Sequence, residues 1–577
     1  MTAVRAVWCW KYSVSVFKAT YGRVAGGSTY SKDYLQASGE CAVSLERMLA
    51  KDVNTQETDV QFVWPGAVRA GKLFRAADYA ANGRMNLRWP KDDAPTPWRL
   101  VDAPSASTAE VLPGTPSRRA TEGEADAEWE RLNARGLDPF VFVVLLNDGT
   151  SDLHVRMYLA SPSLGLEHAA LANLPQSLQA LASKTTSGCS FWSQEIPVVR
   201  NQKLVEKVFA ALEDGPNVLL AGPPGTGKTV ALEDLRELFE HGGPKVHFDP
   251  ISQHDPWSIQ LVAPEGLVRS VVLHPSYSYE DLVIGLVPRP NISGTGVGVE
   301  VQAGPLLGLA HFALQTDQAA LLIMDEFNRG NAAAVFGDTL ALLDGDKRAD
   351  STDSGAVIDR AYPLLPVQLA ADYSVDPAGD SLPAQIRLPR SLSIVAALNS
   401  SDRSVAPLDA ALRRRFSILY VGPDYDSLQA HYVVADSPLP GDVAAYTRDD
   451  VLRLSVEVLQ ALNGRIEFVS GRDFLLGHAL LWGVSGATRQ EVVRSLAAAI
   501  QTRVLATLRF TYADQEEVLA AVLKLGPSDA TGGPTGIAAS WVQPPAAVSN
   551  LAVPRLRFVD LQQLTELEIL AGLKDLL

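Results

Sequence analysis

The sequence predicts an α/β core built on a parallel sheet with flanking helices, preceded by an α+β module and followed by a helical segment. Three observations carry this reading. Asn217-Val-Leu-Leu-Ala221 is an apolar run that leads into Gly222-Pro223-Pro224-Gly225-Thr226-Gly227-Lys228-Thr229, and a helix-like run follows from Val230 to Glu240. A second apolar run, Ala320-Leu-Leu-Ile-Met324, ends in Asp325-Glu326. A third, Leu392-Ser-Ile-Val-Ala-Ala-Leu398, ends at Asn399. Runs of this kind suit strands of a parallel sheet covered on both faces, whose carboxyl ends share one edge.

The elements follow in chain order. Residues 1–102 read as an α+β module that opens on an extended, β-rich stretch over 4–20, starting Val4-Arg-Ala-Val-Trp8-Cys-Trp10. Trp64, Trp89 and Trp98 follow in a region of mixed pattern. Residues 103–127 are rich in Pro, Ser, Thr, Ala, Gly and Glu and too poor in large apolar side chains to pack, so they read as a flexible loop or linker. The module resumes over 128–194 with Phe140–Leu146, the turn Asn147-Asp148-Gly149 and Leu153–Tyr158, a strand, tight turn and strand. A helix over 195–212 enters the core, which spans 195–424; residues 425–527 read as mainly helical. The Pro/Gly/Ala-rich tail, 528–577, ends in an amphipathic helix near 561–577, and no internal repeat is found.

The eight residues from Gly222 to Thr229, between a strand and a helix, have the chemistry of a phosphate cradle. Glycines let successive backbone N–H groups turn inward around an anion, and the following helix adds the positive end of its dipole. Lys228 reaches the β/γ-phosphates of a nucleotide as a point charge, and the Thr229 hydroxyl ligates Mg²⁺. Asp325 then holds Mg²⁺, and Glu326 orients and deprotonates the attacking water. Asn399, at the tip of the neighbouring strand, is expected to hydrogen-bond that water and the γ-phosphate. Downstream, Asp409-Ala-Ala-Leu-Arg413-Arg414-Arg415-Phe416 carries three consecutive arginines. They form either a solvated basic face or, in a nucleotide-driven ring, the arginines that project into the next subunit's site and stabilise charge on the transferred phosphoryl group.

The segment resembles the AAA+ nucleoside triphosphatases, and within them the McrB-like branch, related to dynein and MoxR, the motor subunits of modification-dependent restriction systems. The blocks that carry the resemblance are His274-Pro-Ser-Tyr277-Ser-Tyr279-Glu280-Asp281, Asp325-Glu-Phe-Asn328-Arg329-Gly-Asn331 with Val335-Phe336-Gly337, Leu398-Asn399-Ser-Ser-Asp402-Arg403-Ser404, Asp409 through Phe416, and the lid motif Asp473-Phe474-Leu-Leu-Gly477-His478. Together they cover roughly residues 195 to 527. The resemblance implies an AAA+ core over 195–424 with an α-helical lid over 425–527, ATP or GTP with Mg²⁺ as cofactors, and a ring oligomer, expected to be a hexamer. It further implies DNA, plain or carrying a modified base, as partner, and a separate McrC-like nuclease subunit. The lid motif departs from the family where Ala479-Leu480-Leu481 replaces polar and aromatic residues, which weakens the expectation of a nucleotide-sensing lid. Residues 1–195 carry none of these blocks, and their sequence points to no particular recognition domain.

Composition agrees with a multidomain chain. Its 577 residues exceed what one core usually supports, so three or four units of ~100–200 residues are expected. No apolar stretch approaches the ~20 residues needed to span a bilayer, and the start lacks a secretion pattern. Cys9, Cys41 and Cys189 are isolated and odd in number, which indicates neither a disulfide framework nor a Cys-based zinc site; a reducing cytoplasm and no membrane partner are expected. Net charge is −16, yet the first hundred residues carry 14 Lys/Arg against 9 Asp/Glu, an asymmetry that fits a front module meeting an anionic partner. Trp8, Trp10, Tyr12, Trp64, Trp89 and Trp98 are candidates for an aromatic cage around an extruded base, against the plainer reading of core tryptophans. No acidic pair followed by Glu-x-Lys marks a nuclease site, so the chain is not expected to cut by itself; in the family it resembles, cleavage resides in a separate McrC-like subunit. The alternative from another class is a MoxR-like remodeller of protein complexes, with the front module as a protein adaptor.

Overall fold

The computed structural model describes residues 1–11, 13–14, 34–49, 57–64, 67–77, 79–88, 122–134, 136, 138–160, 174–182, 188–252, 256–290, 297–349, 355–376, 382–402, 409–434, 437–528, 539–546 and 553–577. They fall into two compact units: Met1–Val198 with His241–Pro264, and Val199–Glu240 with Glu265–Leu577.

The first unit is built on a ten-stranded sheet. Its strands are β1 (Thr2–Lys11), β2 (Tyr34–Ala37), β3 (Glu57–Trp64), β4 (Ala67–Arg75), β5 (Met85–Arg88), β6 (Asp138–Leu146), β7 (Leu153–Ala160), β8 (Gly188–Ser193), β10 (Pro244–Phe248) and β11 (Trp257–Leu261). The order is β11-β10-β1-β6-β7-β3-β4-β5-β2, with β8 on the other side of β1 from β6. Strand side chains alternate between faces, so Ala6, Trp8 and Trp10 face one side of β1 and Val7 and Cys9 the other. Both sides are core. The first packs with Cys41, Leu45 and Leu49 of the helix Glu40–Leu49, the second with Leu178 and Leu181 of the helix Gln176–Ala182.

Burial on both faces corrects the aromatic cage. Trp8 is 0% and Trp10 1% exposed. Their indole N–H groups donate to Ser44 Oγ (2.8 Å) and to the Gln36 carbonyl (2.9 Å), the usual satisfaction of a core tryptophan. Neither is free to stack on a base. Trp64 is the last residue of β3; Tyr12, Trp89 and Trp98 lie outside the described residues.

Two further departures from the sequence reading concern where segments belong. Residues 103–121 lie outside the described residues, but Glu122–Ala134 is a helix, so the last residues of the expected linker are its first turns; Glu and Ala favour helix, and composition alone did not separate them from a linker. The hairpin β10–β11, read as part of the core, joins the first unit's sheet, with Thr2 opposite Phe248 and Ala3 opposite His247. Trp257 stacks edge-on to Phe248 across the hairpin (4.8 Å between centroids), and it donates to Oη of the sequence-distant Tyr158 at 3.0 Å.

The second unit carries a five-stranded parallel sheet in the order β12-β15-β19-β9-β20, formed by β9 (Asn217–Gly222), β12 (Gly266–Val272), β15 (Ala319–Asp325), β19 (Leu392–Asn399) and β20 (Ser417–Tyr420). The three apolar runs are thus neighbouring strands. Ala320, Leu322 and Met324 share a core with Leu306, Leu309 and Ala310 of the helix Pro305–Thr316, while Leu321 and Ile323 on the opposite face are buried too. That two-sided burial is why the runs do not alternate. Smaller pieces decorate this sheet: the hairpin β13 (Ile284–Pro290) and β14 (Val297–Ala303), with β17 (Val367–Gln368) parallel to β14, and the pair β16 (Ile358–Asp359) and β18 (Gln385–Ile386).

After β20 the chain is helical. Thr447 opens the helix Arg448–Ser470 with a reciprocal capping box to Asp450. The segment read as a tail packs into this helical core: Ala539, Leu561, Ile569, Leu570 and Leu573 share its apolar cluster, through the pair β21 (Ala539–Val542) and β22 (Arg555–Phe558) and the helix Glu566–Asp575. Among the described residues no helix is long and apolar enough to cross a membrane.

Candidate active site

Parallel pairing puts the carboxyl ends of β9, β15 and β19 on one edge, and the residues that leave those ends make the site. Gly222 ends β9 where a Cβ would stand 2.2 Å from the Val421 carbonyl oxygen, so a side chain there would collide with the chain leaving β20. Gly225 (φ +75°) and Gly227 (φ +86°) adopt left-handed conformations that side chains disfavour. Thr226 Oγ1 donates to the Pro223 carbonyl at 2.9 Å and closes the loop on itself. Lys228 opens the helix Lys228–Glu240, and its ammonium donates to the carbonyls of Gly222 (2.9 Å) and Pro223 (2.7 Å). Burial draws its pKa down to about 8, against the opposing pull of Asp325 and Glu326.

Across from the loop, Thr229 Oγ1 stands 3.3 Å from Asp325 Oδ2. A hydroxyl and a carboxylate oxygen side by side at the start of a phosphate-binding helix are the hard-oxygen donors that Mg²⁺ takes. The other Asp325 oxygen accepts the Glu326 amide N–H at 2.8 Å. Glu326 itself has φ +52°, a turn that an ordinary side chain adopts at a cost of ~1–2 kcal/mol. The chain returns at once to the core through Phe327, whose N–H donates to the Ala397 carbonyl. Asn399 Nδ2 reaches both Glu326 carboxylate oxygens at 3.3–3.4 Å, and Arg329 Nε donates to Oε2 at 3.0 Å. Asn328 Nδ2 in turn donates to the Asn399 carbonyl at 3.1 Å. Lys228, Thr229, Asp325, Glu326 and Asn399 therefore meet at one edge.

The three arginines separate. They precede β20, and Ser417 aligns with Val218, so they lie by the amino-terminal edge of the sheet. Asn217 Nδ2 donates to the Arg415 carbonyl there at 2.9 Å. The loop leaves β9 five residues later, about 16 Å away at ~3.3 Å per residue. Arg414 is exposed. Arg415 does not project as expected: its guanidinium turns inward, Nη1 donating to the Ala411 carbonyl (2.9 Å) and Nε lying 3.3 Å from Asp344 Oδ2, with the side chain 8% exposed. Asp344, seventy residues upstream, supplies an attraction no local pattern announces. Arg403 and Ser404 lie outside the described residues.

The other family blocks are scaffolding for this edge. Ser278 and Asp281 form a capping box, and a Cβ on Gly337 (φ +50°) would stand 2.7 Å from the Tyr279 ring, so the block around Tyr279 packs on the block around Gly337. Beside the loop a cavity of about 340 Å³ is lined by Asn201, Lys203, Thr226, Tyr420, Asp424 and Tyr425, a size suited to part of a nucleotide. Buried Asp234 holds its wall by accepting the N–H groups of Arg200 (2.9 Å) and Asn201 (2.7 Å).

Comparison with known proteins agrees with this geometry. The AAA domain (dynein-related subfamily) matches residues 261–416. The type IV methyl-directed restriction enzyme EcoKMcrB subunit of Escherichia coli (strain K12) is 28% identical over 276 residues, 48% of this chain and 49% of that protein. Residues 261–416 are thus an AAA domain of the dynein-related subfamily, and the chain is similar to the McrB-like branch. The type II restriction enzyme BsuMI component YdiS of Bacillus subtilis (strain 168) is 29% identical over 220 residues, 37% of this chain and 59% of that protein. The chain thus spans about half of the first relative's length and about three fifths of the second's. The domain match begins downstream of the phosphate loop, at the last residue of the hairpin β10–β11.

Sequence reasoning missed the lid's part in this AAA+ site. Ala479 N–H donates to the Gly225 carbonyl at 3.0 Å, and Gly477 packs against the backbone of Pro224 and Gly225. Side chains at 479–481 are apolar and give no sign of this role; the contact is made by main chain, which side-chain identity does not disclose.

Proposed function

We propose that this chain is a ring-forming nucleoside triphosphatase, hydrolysing ATP or GTP, that serves as the motor and recognition subunit of a McrBC-like anti-phage restriction complex acting on DNA with a separate McrC-like nuclease subunit. The observation that carries the chemistry is the meeting of Lys228, Thr229, Asp325, Glu326 and Asn399 at one sheet edge while Arg414 stands at the other. Loop N–H groups and Lys228 hold the triphosphate. Glu326, oriented by Asn399, takes the proton of the attacking water. Thr229 and Asp325 would hold Mg²⁺, which would supply positive charge to the phosphates when bound. Because Arg414 sits about a strand length from its own loop, the site it serves is a neighbouring subunit's, which favours a ring, with six subunits as the family leads us to expect. DNA as the substrate rests on the likeness to restriction subunits and on the positive balance of the first hundred residues. It no longer rests on Trp8 or Trp10.

The test is a pair of substitutions. Glu326→Gln keeps nucleotide binding and lowers turnover by ~10² to 10⁴-fold, because an amide cannot accept the proton. Lys228→Ala loses binding itself. Hydrolysis at the wild-type rate by the Glu326→Gln protein would overturn the assignment.

A further inference from the structure

The lid meets the phosphate loop at one corner, Gly477-His478-Ala479. The corner is fixed to the lid's long helix: Asn463 exchanges two hydrogen bonds with the backbone of Leu476, at 2.7 and 2.9 Å. It is fixed to the loop's far side as well, since His478, 6% exposed, accepts the Asp424 N–H on Nδ1 at 3.0 Å. From this position Ala479 N–H holds the Gly225 carbonyl. In a planar trans peptide the carbonyl and the following N–H point in opposite directions. Holding Gly225 C=O toward the lid therefore aims the Thr226 N–H away from it, into the cradle.

We propose that this corner is a positioning element for nucleotide binding, in which the Ala479 main-chain amide pre-sets the Gly225–Thr226 peptide for phosphate and Gly477 permits the approach. The proposal rests on the reading of the loop as a triphosphate cradle. It gives the lid a role that requires no polar side chain at 479–481. It also explains the glycine: Gly477 has φ −68° and ψ 145°, values open to any residue, so its backbone does not demand glycine. The loop does. A Cβ at 477 would stand 2.3 Å from the Pro224 carbonyl oxygen and 2.4 Å from the Gly225 carbonyl carbon, and neither is a flexible side-chain end.

Gly477→Ala therefore separates positioning from folding, because alanine suits the lid's own backbone and collides only with the loop. In the full-length protein, nucleotide Kd and KM are expected to rise about 10-fold, the scale of one net hydrogen bond, with kcat changed far less and the nucleotide-free melting temperature close to wild type. His478→Asn, whose side-chain oxygen can accept the Asp424 N–H, is expected to stay near wild type, whereas His478→Ala is expected to weaken binding. Trp482 gives a second readout, since its N–H donates to the Ala479 carbonyl and its ring lies 5.9 Å from His478. The nucleotide-induced fluorescence change that Trp482→Phe removes should be lost in Gly477→Ala at subsaturating nucleotide. Wild-type Kd and KM in Gly477→Ala, or loss of kcat alone, would overturn the proposal. Absence of nucleotide binding by the wild-type protein would instead overturn the cradle on which it rests.

Discussion

Lys228 shows how much one residue's environment sets its chemistry. Its side chain is buried against two carbonyls, and burial lowers its pKa to about 8 although Asp325 and Glu326 work in the other direction. Polyanionic phosphate favours the protonated amine. Nucleotide affinity is therefore expected to be full below about pH 8 and to fall as pH rises through that value, by up to ~10-fold per pH unit until the bound-state pKa is reached. Titrating Kd between about pH 7 and 9.5 tests this, and Lys228→Arg, which keeps its charge throughout, should flatten the profile. A profile that is equally steep in both proteins would assign the pH dependence to another group. Glu326 is the complementary case: its carboxylate is restrained from two sides, by Asn399 and Arg329, so the base is held in place by neighbours on two different strand ends.

At the scale of elements, the strand β15 delivers Asp325 and Glu326 only because the chain is anchored immediately beyond them. Phe327 is 0% exposed and packs between Phe416 (5.4 Å between ring centroids) and Phe336 (6.4 Å). It thereby joins the end of β15 to the start of β20 and to the helix Ala332–Phe336. Phe327→Ala removes most of a large buried side chain and is expected to cost ~3–5 kcal/mol in urea unfolding of this unit. Turnover should fall as well, since the left-handed bend at Glu326 is held by the packing on either side of it. A loss below ~1 kcal/mol with normal turnover would mean that the bend is set elsewhere. The capping boxes at Thr447, Thr488 and Thr565 act at the same scale, starting three lid helices where sequence places Thr three residues before an acid.

For the whole molecule, the decisive feature is that the loop and Arg414 occupy opposite edges of one parallel sheet. An Arg414→Ala subunit and a Glu326→Gln subunit should each hydrolyse poorly alone and regain activity when mixed, because each donates the part the other lacks. Trans-acting arginines in phosphoryl transfer are worth ~10³ to 10⁵ in rate, so the rescue has a wide range to show itself. Arg415→Ala should behave differently: with its guanidinium committed to Asp344 and Ala411 in its own chain, the loss is one of stability, and mixing should not specifically restore it. Confirmed mixed rings without any rescue of Arg414→Ala would remove the trans role. The unit boundaries also matter for recognition experiments. Residues His241–Pro264 complete the first unit, so a fragment ending near residue 190 lacks β10 and β11 and the full chain is the proper material.

Much of the site was legible because its chemistry is written in contiguous residues. The spacing from Gly222 to Thr229 places glycines, lysine and threonine on one turn, and the three apolar runs identify strands whose ends converge in any parallel sheet. Asp325, Glu326 and Asn399 follow from that geometry alone. What the sequence left open depends on partners distant along the chain. The same alternation that made Trp8 and Trp10 candidates for a cage allows them to be core, and the helix Glu40–Leu49 decides for core. Three adjacent arginines look equivalent until Asp344 draws one inward. A hairpin between the loop and the next core strand reads as core until Thr2 and Ala3 pair with it. The lid's contact is the furthest from sequence, because a main-chain N–H is present at nearly every residue, and only the tertiary approach that Gly477 permits determines that Ala479 uses its own on the phosphate loop.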